Sequence, residues 1–176
     1  MPDLWTLHVT MIATTTRRSD QEKFDRFTTL TARLLGVPIV SLSLVGPRHG
    51  FVMSSTGLPA PLVLLLAHPF SRRVAASRRP LVINDARFHP LGAGAAAVRD
   101  GLVTAYAGLP LFDTGGHTLG TLSAMDTRPR VWTVEDLERL QDVAWVLVRA
   151  VDWSAPRRPA VRSWRRPATR PGMQPC

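Results

Sequence analysis

Between residues 20 and 35 apolar side chains recur every three or four positions, at Phe24, Phe27, Leu30 and Leu34, the spacing that gathers them on one face of a helix. Ser19-Asp20-Gln21-Glu22 stands before them as a capping box, and Gly36 with Pro38 ends the run. The period then changes to two: Val40, Leu42 and Leu44 alternate with Ser41 and Ser43, which reads as a half-buried strand over 39–45. Gly46 to Gly50 turns the chain, and Phe51 to Ser55 reads as the hairpin partner. Thr56-Gly57-Leu58-Pro59-Ala60-Pro61 reads as a loop. A short helix around 68–77 follows, then a strand at Leu81-Val82-Ile83 and an irregular stretch over 84–101. Leu102 to Phe112 and His117 to Asp126 are strand-like runs joined by Asp113-Thr114-Gly115-Gly116, where glycine supplies the positive φ of a hairpin turn. A last helix is expected from Thr133 as N-cap, with Glu135 and Asp136 in its first turn and Trp132 packing on Leu137.

In that last helix Leu137, Leu140, Ala144, Leu147 and Val151 step by three and four in alternation, the spacing of a coiled-coil seam, while Val143, Val146 and Val148 make a second apolar surface. Two apolar faces predict two partners, the domain's own sheet and a second subunit, with the seam as the expected homodimer interface. A helix buried all round is the alternative, and two heptads do not choose between them.

Composition changes this picture at the ends of the chain. The 176 residues suit one domain with an extension on either side: residues 1–18, a domain over 19–153, and a tail over 154–176. The tail holds 6 of the 22 basic residues and none of the 13 acidic ones, interleaved with Pro156, Pro159, Pro167, Pro171 and Pro175. Such a Pro/Arg segment is expected to be disordered. It reads either as a solvated extension or as an electrostatic arm for an anionic partner; the rest of the chain is close to charge balance, so nucleic acid is not the expected partner. The longest apolar run, Leu58 to Ala67, is interrupted by prolines and falls short of the ~20 residues that span a bilayer, and the N-terminus lacks a secretory pattern, so a cytoplasmic location without membrane attachment is expected. The single cysteine, Cys176, excludes an internal disulfide and Cys-based zinc sites.

The chain carries no G-x-x-x-x-G-K-[ST] loop, no H-E-x-x-H pair and no G-x-S-x-G turn, and its five histidines are scattered singly, so no enzyme chemistry and no metal site are expected. Small polar residues at Ser41, Ser43, Ser71, Thr121 and Ser123 stand where a purely structural core would carry aliphatics, which suggests a cavity. The candidate ligand-binding residues are Phe51, Met53, Ser71, Val74, Asp85, Phe88, Tyr106, Thr121, Ser123 and Met125. Asp85 and Asp126 follow strands and would either cap a turn or reach into a pocket. Tyr106, the only tyrosine, would either touch a ligand or satisfy a core group. Arg72, Arg73, Arg78 and Arg79 form either an anion site or a solvated face.

From Phe24 to Val151 the chain resembles a GAF domain of bacterial signalling proteins. The likeness is carried by Phe24 to Ser43, by Ser54 to Leu58, by Arg79 to Pro90, and most specifically by Ala105 to Thr133, with its Tyr-x-Gly-x-Pro-Leu strand, Gly-His-x-Leu-Gly-x-Leu return strand, Asp126 and Arg-x-Trp-Thr helix entry. The resemblance implies an α+β fold: a central antiparallel sheet of five or six strands, the N- and C-terminal helices on one face and a ligand-pocket region on the other. It implies a sensory or regulatory domain in signal transduction that binds a small molecule or a signalling partner in trans and often dimerises. The alternative is a dimeric interaction module with a vestigial pocket and an Arg/Pro docking tail. Similar domains often carry cysteines where this chain has Ser71 and Ser123, so thiol redox sensing, thioether-linked bilins and free methionine sulfoxide reduction are not expected. No cofactor is singled out; haem on a lone histidine is conceivable, but no histidine stands out.

Overall fold

The structure, a computed structural model, describes residues 18–45, 50–58 and 60–151, and for residues 18, 19 and 60–68 only the backbone. The expected tail over 154–176 and the first seventeen residues of the N-terminal extension lie outside these. Helix α1 (Arg18–Leu35) leads into strands β1 (Ile39–Val45) and β2 (Gly50–Thr56). Helix α2 (Ala60–Ser77), strand β3 (Leu81–Ile83), a 3-10 turn (Ala86–Phe88) and the one-turn helix α3 (Ala96–Arg99) follow. Strands β4 (Ala105–Phe112) and β5 (Thr118–Asp126) and helix α4 (Val134–Ala150) complete the fold. The strands form one five-stranded sheet in the order β2-β1-β5-β4-β3, antiparallel throughout.

The sheet is covered on both faces. On one, α1 and α4 enclose a core built on Phe24, Leu35, Leu42, Leu44, Leu109, Leu122, Leu140 and Leu147. On the other, α2 and the segment 84–103 enclose a second core of Ile39, Phe70, Val74, Ile83, Val103, Tyr106 and Met125. Every residue of β1 is therefore buried. The alternation of leucine and serine along β1 does not separate core from water; it separates two buried faces, the leucines under α1 and α4 and the serines beneath α2.

Several expectations are corrected. Helix α1 begins at Arg18, which places Ser19 inside the helix and not at its cap. Its inward face is Phe24, Thr28, Thr31, Ala32 and Leu35, while Leu30 and Leu34 are 48% and 42% exposed. The threonines face inward because hydroxyls meet them: Thr28 and Ser54 on β2 share a hydrogen bond of 3.0 Å, and Ser54 donates to Asp25 Oδ1 at 2.6 Å. The expected 56–61 loop is shortened, since β2 ends at Thr56 and α2 starts at Ala60, well before the short helix expected around 68–77, and runs through Pro69. A proline in the first turn loses no bond, but Pro69 has no N–H to offer the carbonyl of Leu65. The hairpin turn before β5 behaves as read, with Gly116 at φ 78°.

The expected subunit seam lies inside the protomer. Leu140, Ala144, Leu147 and Val151 are buried in the first core and Leu137 packs against it. The reason is geometric: three- and four-residue steps describe one helix face, and the sheet with α1 occupies it. Thr133 caps α4 as a full capping box, its hydroxyl accepting from Asp136 N at 3.1 Å while Asp136 Oδ2 accepts from Thr133 N at 3.2 Å.

Candidate functional site

The sheet face beneath α2 carries the chemistry. Strand period and register set Ser41 opposite Ser123 and Ser43 opposite Thr121 across the β1–β5 pair, with Tyr106 beside Met125 across β4–β5. All of these side chains are buried. The Tyr106 hydroxyl lies 2.8 Å from Ser123 Oγ and 3.5 Å from Ser71 Oγ on α2, and its ring stands 4.9 Å from that of Phe70. Full burial pushes the Tyr106 phenol up to about 12, against the opposing hydrogen bonds from Ser123 and Ser71.

Gly108 explains how a tyrosine lies flat on this face. A Cβ at residue 108 would stand 2.3 Å from the Tyr106 hydroxyl oxygen and 2.7 Å from the ring. Tyr106 and Gly108 are two apart on one strand and so share a face, and the missing side chain is the bed for the ring. Beyond this network, Ser41 Oγ and Thr121 Oγ1 are buried without a hydrogen-bond partner. Leaving such a hydroxyl unsatisfied costs roughly 1–3 kcal/mol, and each hydroxyl is able both to donate and to accept a further hydrogen bond.

Of the ten candidate binding residues, Ser71, Val74, Tyr106, Thr121, Ser123 and Met125 are buried on or over this face. Phe51 and Met53 are not there. The β1–β2 register passes from Leu42↔Ser54 to Ser43↔Val52, leaving Met53 as the extra residue of a bulge. Phe51 and Met53 consequently join the core under α1. Asp85 takes the capping role: it accepts from Arg87 N at 3.1 Å and holds the Arg87 guanidinium at 2.9 and 2.6 Å. Those bonds from Arg87 keep its carboxyl below the usual range, against the desolvation that raises it. Phe88 is 85% exposed, with the Arg87 guanidinium 5.6 Å from its ring centroid. Asp126 likewise caps a turn, accepting from Arg128 N at 3.1 Å. Among the described residues no group of three metal-ligating side chains comes together. Sequence reasoning reads Ser41 and Ser43 among the small polar residues that suggest a cavity but leaves them, with Phe70 and Gly108, out of the candidate binding residues; the cross-strand register with Ser123 and Thr121 puts the two serines on the same face.

Comparison with known proteins agrees with this architecture. The GAF domain family model matches residues 21–151. The GAF domain of a phosphoenolpyruvate-protein phosphotransferase from Coxiella burnetii is similar at 16% identity and a TM-score of 0.63, over 82% of this chain and 90% of that one. A GAF domain from Synechocystis sp. in its photoproduct state is similar at 18% identity and a TM-score of 0.60, over 74% of this chain and 92% of that one. The free methionine-R-sulfoxide reductase of Neisseria meningitidis, in complex with its substrate, is similar at 17% identity and a TM-score of 0.59, over 85% of this chain and 90% of that one. No curated protein matches in sequence. A family match over most of the chain, on a five-stranded antiparallel sheet sandwiched between helices, leads to one conclusion: the chain belongs to the GAF domain family.

Proposed function

We propose that this GAF domain is a non-catalytic sensor that binds a small polar molecule against the hydroxyl-lined sheet face beneath α2 and passes that occupancy to a signalling partner. The observation that carries the reading is the pair of orphaned hydroxyls, Ser41 Oγ and Thr121 Oγ1, beside the satisfied Ser71–Tyr106–Ser123 network. A ligand offering a donor and an acceptor there recovers the desolvation cost that the two hydroxyls bear. The fold supports the same reading, since similar structures include a domain of a putative two-component sensor histidine kinase from Sinorhizobium meliloti. The reductase from Neisseria meningitidis shows that this fold also hosts catalysis. Thiol-based reduction by this chain is not favoured, because the hydroxyls of Ser71 and Ser123 do not exchange with disulfides and the only cysteine is Cys176.

Dimerisation belongs to the same proposal, through a different surface from the seam. Leu30 and Leu34 on α1 and Val146 on α4 are 48%, 42% and 46% exposed, and the two helices pack side by side. A second copy covering those outer faces would link the terminal helices of two protomers.

Native mass spectrometry of the purified full-length chain tests both parts. The expected result is a dimer that retains a defined added mass, lost in the Ser41→Ala, Thr121→Val variant. A protein with no added mass and no thermal stabilisation by any member of a metabolite library overturns the sensor reading, and a monomer overturns the dimer.

A further inference from the structure

A groove of about 390 Å³ runs between α4 and the outer edge of β4, a volume ordinary for sites that take metabolite-sized molecules. It exists because β3 is short. Leu81 pairs with Gly108, and on that side of β4 no strand among the described residues continues the pairing along Leu109–Phe112, whose other side is held by β5. Pro110, with no N–H to leave unpaired, suits that free edge. The groove is lined by none of the hydroxyl-bearing residues beneath α2.

Its floor is apolar, with Leu109, Leu111 and Ala144 shared with the first core. Its walls include two aromatic rings, Phe112 from the sheet and Trp145 from the helix, and Trp145 is 58% exposed. Each ring carries a guanidinium. Arg78 stands 5.4 Å from the Phe112 centroid and Arg149 stands 3.9 Å from that of Trp145. Arg78 is held in place by the backbone as well, since it adopts φ 56° and donates to Gly116 O at 2.5 Å. A non-glycine residue in that region is uncommon. Among the described residues neither arginine is paired with a carboxylate. The C-terminal end of α4 contributes only about half a negative charge, which the Arg149 cation outweighs.

An apolar floor, the half-buried ring of Phe112, the exposed ring of Trp145 and two cations without a carboxylate partner complement a molecule with a flat apolar body and one negative group. The geometry points to a second ligand site, taking a small aromatic carboxylate whose ring lies against Phe112 and Trp145 and whose carboxylate is met by Arg78 and Arg149. Guanidinium is the side chain best shaped for a carboxylate, and the Gln141 amide at the same groove offers a further donor. The site stands independently of the sensor proposal, because the two share no lining residue.

The test is a titration of the full-length protein with naphthylacetate and, separately, with its uncharged amide, followed by the nitrogen–proton correlation spectrum. Saturable shifts are expected at the Trp145 indole and the Phe112 backbone, with the acid binding about tenfold more tightly than the amide. The Arg78→Gln, Arg149→Gln variant is expected to erase that preference. Arg149→Gln alone, at an exposed helix position, is expected to reduce it about threefold and serves if the double variant does not fold. Three results each overturn the proposal: no saturable shift at Trp145 by about 5 mM ligand, an amide that binds as tightly as the acid, or arginine variants that keep the full preference.

Discussion

Tyr106 shows most directly how a single side chain ties the sheet to α2. It is the only tyrosine in the chain, so alkaline titration of tyrosinate absorbance reads this residue alone. Its phenol is raised from 10.0 to about 12 in the folded protein. A group whose folded pKa is raised stabilises the fold below the unfolded pKa and loses that contribution as pH climbs through the folded one. Stability is therefore expected to be level with respect to Tyr106 up to about pH 10 and to fall by roughly 2–3 kcal/mol towards pH 12. Tyr106→Phe should flatten that decline while costing about 1–2 kcal/mol near neutrality, since Ser123 and Ser71 lose their partner. Melting curves of both proteins across the alkaline range check this, and an early tyrosinate signal near pH 10 would contradict the burial that underlies it. Gly108→Ala is expected to displace the ring and lower the melting temperature by more than the loss of the hydroxyl alone, because its Cβ would overlap the ring.

At the scale of elements, α4 separates two questions that its sequence runs together. Leu140 and Leu147 are fully buried between the helix and the sheet, so Leu140→Glu is expected to unfold the domain, with a loss of roughly 3–5 kcal/mol. Circular dichroism would show that loss; a folded monomer would instead restore the seam to a subunit interface. Val146→Glu, on the outer face, should leave the fold intact and, under the dimer proposal, halve the mass seen in sedimentation. Thr133→Ala removes one half of the capping box and is expected to cost about 1 kcal/mol by thermal denaturation. The cap, the hairpin turn at Gly116 and the period-two strands are legible in the sequence because each depends on residues within a few positions of one another. The inward face of α1 is not. Thr28 is buried because Ser54, on a different element and far along the chain, supplies a hydroxyl opposite it, and no local pattern records that.

For the molecule as a whole, Arg130 joins the pieces that the chain keeps far apart. Its guanidinium donates to Leu35 O at 2.6 Å, lies 3.4 Å from the Asp136 carboxylate and 3.8 Å from that of Asp126, and stands 4.9 Å from the Trp132 ring. It thus fastens the end of α1, the end of β5 and the start of α4 at one point. Arg130→Gln is expected to cost about 2–3 kcal/mol and to speed amide exchange in the first turn of α4 and the last of α1 together. Exchange that rises in one helix alone would show that the residue does not couple them.

The division between what the sequence determines by itself and what needs the fold follows the range of the forces involved. Turn chemistry, capping and apolar period act over a few residues, so most of the helices and strands, the Thr133 cap and the Asp113–Gly116 turn are settled by composition and spacing, while the contact of Tyr106 with Gly108 is seen only in the folded strand. Pairing register, the bulge at Met53 and the choice of which helix face turns inward act between segments distant in sequence, and one shifted residue sends a side chain to the other side of the sheet. That is why Phe51 and Met53 belong to the helical core, why the α4 seam turns inward, and why the orphaned hydroxyls of Ser41 and Thr121 and the Arg78–Arg149 groove arise only when the strands and helices are brought together.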